Sequence, residues 1–302
     1  MSMIPLLAPA LTLAVSVLAN DPAPSPALSV ADTVAPPPEA TEQEMLANAA
    51  YRRTTFDLSI GPPTGPSDAT VRFPSPKPRG DVRNDTVVLE WYRAVCSDEE
   101  GPAPAMLVLH ILNGRMRVAR SVAQAFRLNG IHAFVMHMPD YGERGDARYR
   151  LKVERFEERT WQAVADARRA RDVIAALPGV DGERIGLQGT SLGAFTGSLV
   201  ASVDRAFDPV FLVLGGGDLP SMFEFGQRDT AKIRAQFLRA GFDLDALKAT
   251  VRAVDPARLA HRLDPARTWL WSAASDQVVP HRRLQRVEIE TGPEELGARS
   301  EE

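Results

Sequence analysis

The chain has 302 residues, 44% of them hydrophobic and 25% charged, which excludes a wholly disordered or fibrous polymer. Its 35 basic and 39 acidic residues leave a net charge of −4, so there is no cationic excess to hold nucleic acid. Fourteen of its 24 prolines fall within the first 80 residues, so the N-terminal quarter differs in composition from the rest.

Residues 1–19 (MSMIPLLAPALTLAVSVLA) contain an apolar run shorter than the ~20 residues of a membrane-crossing helix. The run ends in a small-x-small pattern suited to signal peptidase. We expect a signal peptide, export to the periplasm or beyond, and no stable membrane span after cleavage. No Lys or Arg precedes the run, and Pro5 and Pro9 interrupt it. The alternative is a mis-assigned start in front of a cytoplasmic protein. Residues 20–45, with Pro22, Pro24, Pro26 and Pro36 to Pro38, read as a disordered spacer, because they hold too little apolar surface to fold. The folded domain is expected over 46–302. Its single cysteine, Cys96, cannot form an internal disulfide, so a core must supply stability.

From about residue 68 the pattern becomes regular. Residues 69–73 and 86–95 alternate apolar and polar side chains, as half-buried antiparallel strands do. The continuous apolar runs 105–111 (AMLVLHI) and 131–138 (IHAFVMHM) predict strands buried on both faces. Helical spacing predicts helices over 117–128, closed by Gly130, over 156–177, closed by Pro178-Gly179, and over 192–203. Short strands are predicted at 184–188, 209–214 and 268–272. Strands alternating with helices imply an α/β protein with a mostly parallel, doubly wound sheet. The helical stretch 219–263 interrupts the alternation and is expected to form a small cap over the sheet edge. Residues 284–302 form a polar, acidic tail.

One motif carries chemistry. The strand at 184–188 runs directly into Gly189-Thr190-Ser191-Leu192-Gly193, and a helix follows. A serine on so tight a strand-to-helix turn is lifted above the sheet, and the N–H after it lies at a helix N-terminus, where it can donate to a developing oxyanion. The flanking glycines answer to crowding. The five histidines and one cysteine show no metal-ligand spacing. Gly215-Gly216-Gly217 lacks the Gly-Lys-Ser/Thr of a phosphate loop.

Over residues 68–285 the sequence resembles the α/β-hydrolase superfamily, on its dienelactone-hydrolase and acetyl-esterase side. The resemblance rests on the GTSLG elbow, His110 to Gly114 (HILNG), Pro139 to Arg144 (PDYGER) and Ser275 to Pro280 (SDQVVP). It implies a serine hydrolase with Ser191 as nucleophile and a small-molecule acyl substrate, whose acyl or alkyl group the short cap keeps small. It implies oxyanion donors from the backbone N–H groups of Leu192 and Leu112, and no cofactor. Asp276 matches the triad acid; Asp218 is the rival acid, with a helix N-cap as its ordinary role. His110 is expected to brace its loop, and His137 to be a packed or bracing residue.

The family's triad histidine has no clear counterpart. Only His281 follows Asp276. Residues 286–289 (RVEI) could form a last strand, but no histidine comes after it. Three readings remain: a chain shortened near residue 284, His281 as substitute base, or a fold retained as a non-catalytic binding domain. A serine peptidase of the same fold is a further alternative. No histidine ring nitrogen is expected within hydrogen-bond reach of the Ser191 hydroxyl.

Overall fold

The two continuous apolar runs at 105–111 and 131–138 become the middle of the sheet. In the computed structural model the described residues are 40–63, 65–95, 101–112, 116–145, 155–273 and 278. Eight strands form one sheet: β1 (Ser59–Gly61), β2 (Ala69–Pro74), β3 (Thr86–Tyr92), β4 (Ala103–Leu109), β5 (His132–His137), β6 (Val180–Thr190), β7 (Val210–Val213) and β8 (Thr268–Trp271). Their order is β1-β2-β3-β5-β4-β6-β7-β8. The first three pairings are antiparallel, and every pairing from β5 to β8 is parallel. Leu107 to Leu109 on β4 and Phe134 to Met136 on β5 are completely buried. A strand covered on both faces has no polar side to present, which is why these runs do not alternate.

Parallel neighbours need crossovers, and three helices supply all but the last: α2 (Arg117–Leu128), α3 (Phe156–Ala175) and α4 (Leu192–Val203). Several strand ends differ from the expectation, and β3 ends at Tyr92, before the expected 95. β4 stops at Leu109, releasing His110 and Ile111, because its ladder with β6 ends at the Leu109–Gly189 pair. β6 begins at Val180, earlier than 184, because Val180 pairs with Ala103.

The spacer expected over 20–45 ends sooner. Helix α1 (Ala40–Ala49) already covers residues 40–45. Met45 and Ala49 are buried, and the Arg168 guanidinium donates to the Ala49 carbonyl at 3.0 Å. Burial of that apolar edge draws the segment into the fold. Residues 1–39, Cys96 and the 284–302 tail, with the strand expected at 286–289, lie outside the described residues.

The 219–263 region contains α5 (Leu219–Phe225), α6 (Asp229–Arg239), α7 (Leu244–Arg252) and two short 3-10 turns. It is fastened to the start of α3 by aromatic contacts. Phe156 meets Phe223 at 6.4 Å and Phe237 at 6.0 Å between ring centroids. Among the described residues, no helix is long and apolar enough to cross a membrane.

Candidate active site

β6 ends at Thr190 and α4 begins at Leu192, so Ser191 alone makes the turn. Its backbone sits at φ 51°, ψ −114°, a conformation that costs an L-residue about 1–3 kcal/mol. Three backbone hydrogen bonds hold it there. The Ser191 N–H donates to the Val213 carbonyl at 2.8 Å, and its own carbonyl accepts from Ala194 and Phe195 at 2.8 and 3.0 Å. The glycines are steric necessities. A Cβ on Gly189 would collide with the Gly193 carbonyl, and a Cβ on Gly193 would collide with the Leu109 carbonyl. The G-x-S-x-G spacing is therefore what this strand, elbow and helix require in order to pack.

Ser191 opens on a cavity of about 260 Å³. Its floor comes from residues just past the C-terminal ends of the parallel strands: Leu112, Met138, Ser191 and Leu214. Ligands in open α/β sheets bind at this end. The cap forms another wall through Leu219, Met222, Phe223 and Ile233, and α3 contributes Phe156, Arg159 and Thr160. Leu192 and Leu112 both line the cavity with Ser191. As the first residue of α4, Leu192 has an N–H with no intrahelical acceptor.

Structural comparison bears on this architecture. No family model and no curated relative matches the sequence. Solved structures do match. The chain is similar to acetyl xylan esterase 1 from Thermoanaerobacterium sp. JW/SL YS485, with a TM-score of 0.59, 14% identity, and coverage of 83% of this chain and 84% of that one. It is similar to an acetyl xylan esterase from Paenibacillus sp. R4, with a TM-score of 0.58, 14% identity and 81% coverage of each chain. A puromycin-hydrolyzing peptidase from Mycobacterium tuberculosis gives 0.54 at 18% identity, over 77% of this chain and 39% of that one. The chain has the α/β-hydrolase fold.

Within this α/β-hydrolase fold, the residues singled out from sequence fall into three groups. Ser191, Leu192 and Leu112 line one cavity. Asp218 does not line it. It caps α5, its carboxylate accepting from the Ser221 N–H at 3.4 Å. Asp276 and His281 lie outside the described residues. Val278, two residues beyond Asp276, lines the cavity, and its carbonyl accepts from the Thr230 hydroxyl at 3.1 Å.

Among the described residues no histidine lines the cavity. His110 sits with Nδ1 2.7 Å from the Ile111 carbonyl, while Nε2 accepts from the Met138 N–H at 3.2 Å. Those partners define the neutral Nδ1–H form, and burial lowers its pKa to about 4. His132 accepts from Trp91 Nε1 and the Ala94 N–H through Nδ1, with Nε2 3.0 Å from the Gly179 carbonyl. His137 accepts from the Glu143 N–H through Nδ1 and meets Glu90 through Nε2 at 2.8 Å. His261 is exposed, 3.3 Å from Glu42.

The PDYGER loop is a buried polar brace. Arg144 is completely enclosed, donating to the carbonyls of Asn84 at 2.8 Å and His137 at 3.0 Å, and pairing with Asp166 at 2.7 Å. Asp140 pairs with Arg159 at 3.1 Å. Beneath the loop, Glu90 is fully buried on β3. Burial pushes its carboxyl upward, but hydrogen bonds from His137 and Arg120 outweigh this and hold it at about 2. Sequence reasoning missed Arg159 and Glu90, and met Asp140 only as part of the PDYGER motif. Each looks like an ordinary surface charge, and only the ion pairs show otherwise.

Proposed function

We propose that this chain is a serine hydrolase acting on a carboxylic ester or a related acyl compound. The observation that carries the reading is the position of Ser191. It is held at positive φ where a buried strand meets a helix N-terminus, and it opens on an apolar cavity. A strained backbone at such a site is the usual mark of a working nucleophile. Ser191 Oγ attacks the acyl carbonyl and loses its proton to a base. The N–H groups of Leu192 and Leu112 stabilise the oxyanion, the alcohol leaves, and water then releases the acid from the acyl-enzyme. Asp276 orients the base, and His281 is the candidate for that base. The presence of Val278 in the cavity wall supports a role there for the segment carrying Asp276. The cavity volume of about 260 Å³ and its largely apolar lining suit a small acyl group. The named esterases among the structural neighbours support the same chemistry. The apolar run of residues 1–19 supports an exported enzyme.

Two measurements test this: turnover of short p-nitrophenyl esters, and covalent labelling by a fluorophosphonate. Both should vanish in Ser191→Ala. A full-length protein showing neither would overturn the reading. It would leave a non-catalytic binding domain. Cleavage of aminoacyl anilides in preference to esters would point to a peptidase, as in one structural neighbour.

A further inference from the structure

The cavity wall takes Leu192, Phe195 and Leu199 from α4, and Phe156, Thr160 and Ala163 from α3. Each set is spaced over i, i+3 or i+4, and i+7, which is a single stripe along a helix. Seven residues of helix rise about 10 Å. Because α3 packs against α4, the two stripes make a slot that starts beside Ser191 and runs about two helical turns away from it. Ala163 and Leu199, both buried, stand at its far end. The polar side chains along the slot are committed elsewhere. The Thr160 hydroxyl donates to the Phe156 carbonyl at 2.9 Å, Thr196 to Leu192 at 3.1 Å, and Thr230 to Val278 at 3.1 Å. Arg159 donates from Nη1 to Gln162 at 2.7 Å, and its Nε and Nη2 are enclosed, out of reach of a guest. Asp229, its side chain 60% exposed, pairs with Lys232 at 2.8 Å on the solvent side. Beyond the serine, the slot meets a guest with carbon.

We propose that this slot is an acyl-chain site, and that the preferred substrate is an ester of a straight, unsubstituted aliphatic acid of about six to eight carbons. The carbonyl lies at Ser191 and the chain end lies against Ala163 and Leu199. The proposal rests on the hydrolase reading above. Length sets the number of carbons. With bonds of about 1.5 Å, an extended chain advances a little over 1 Å per carbon, so a slot of about 10 Å takes roughly eight. Volume agrees. A dry apolar cavity of about 150 Å³ holds benzene, with its six carbons, so 260 Å³ holds roughly ten. The acyl group is thus small in bulk but extended. An acetyl group would leave most of the slot unfilled and forfeit its contacts, whereas a chain of twelve carbons would overrun it. An oxygen carried into the slot would lose its water and gain no hydrogen bond from the committed hydroxyls.

The test measures kcat/KM on the full chain for p-nitrophenyl acetate, butanoate, hexanoate, octanoate and dodecanoate. Each methylene taken into the slot adds to binding, so hexanoate or octanoate should exceed acetate by roughly 10-fold or more, and dodecanoate should fall below octanoate. The 4-propoxybutanoate ester, equal in length to octanoate but with one ether oxygen, should be roughly 10-fold slower than octanoate. Ala163→Leu fills the far end and should move the optimum to a shorter chain. Leu199→Ala opens that end and should raise dodecanoate relative to octanoate. These shifts run in opposite directions from two different helices, so a folding defect in one variant does not decide the outcome. An optimum at acetate, an ether ester as fast as octanoate, or an optimum that neither variant moves would each overturn the proposal. Calorimetric titration of the Ser191→Ala protein with methyl acetate, butanoate and octanoate separates it from the hydrolase reading. Affinity that climbs with chain length, and that adding Ala163→Leu cuts roughly 10-fold for octanoate, supports the slot even if the wild-type chain turns nothing over. Equal affinities overturn the slot even in an active hydrolase.

Discussion

The Ser191 N–H donates to the Val213 carbonyl at 2.8 Å, tying a residue at φ 51° to the neighbouring strand. The elbow is therefore strained and anchored at once. Ser191→Gly removes the steric part of that strain, because glycine reaches positive φ freely. We expect this variant to gain about 1 kcal/mol of stability while losing any turnover of p-nitrophenyl esters. Ser191→Ala should lose activity without the gain. Urea unfolding of the two variants decides the matter, and equal midpoints would show that the backbone carries no relievable strain.

Gly193 packs its α-carbon against the Leu109 carbonyl on β4. Both partners are main chain, and β4 lies inside the sheet, so neither can yield. Gly193→Ala is expected to cost about 3 kcal/mol or to prevent soluble expression. A variant that melts with the wild type would mean that the elbow can shift without penalty.

Arg144 and Asp166 form an ion pair with neither side chain exposed. Asp166 also accepts from the Ser75 hydroxyl at 2.6 Å. Burial raises the Asp166 carboxyl, and the Arg144 charge works in the opposite direction. Removing one partner leaves a buried charge uncompensated. Arg144→Met alone should therefore cost about 3–5 kcal/mol, and Arg144→Met with Asp166→Asn should recover part of that loss. A double-mutant cycle by chemical denaturation reads the coupling, and additive costs would deny it.

Asp255 sits under the start of α5, accepting from the N–H groups of Leu219 at 3.1 Å and Ala257 at 3.0 Å. Burial pushes its carboxyl up to about 6, although these donors pull it down. A carboxyl raised on folding contributes stability that is fully present below its unfolded value of about 3.9 and is lost as pH rises through the folded value. Glu90 acts in the opposite sense. Held at about 2, it contributes stability above its unfolded value of about 4.3 and loses it as pH falls toward 2. Buried His110, lowered to about 4 against an unfolded value of about 6.5, gains stability as pH rises through the same window and offsets the decline from Asp255, so Asp255→Asn should make unfolding free energy rise more steeply between pH 4 and 7. An unchanged slope in that variant would assign the titration to another group.

The local pattern of this chain was enough to determine its class and its elbow. Period-two and continuous apolar runs mark the strands, period-3.6 stripes mark the helices, and each depends only on near neighbours in sequence. The pentapeptide around Ser191 is legible for the same reason, since strand, turn and helix follow one another without a break. Leu192 could be named because it sits next to such a local mark, and Leu112 only through the resemblance of His110 to Gly114 to the family's loop. The charged residues around the site could not. Glu90 meets His137 across 47 residues only because β3 pairs with β5 and not with β4. Arg159 becomes a cavity residue only because the start of α3 lies over the strand ends and under the cap. α1 was likewise hidden in a proline-rich front, because its two buried side chains have no partner until the rest of the domain is in place. Propensity and periodicity act over a few residues, whereas the pairing of buried charges depends on strand order, which only the folded chain decides.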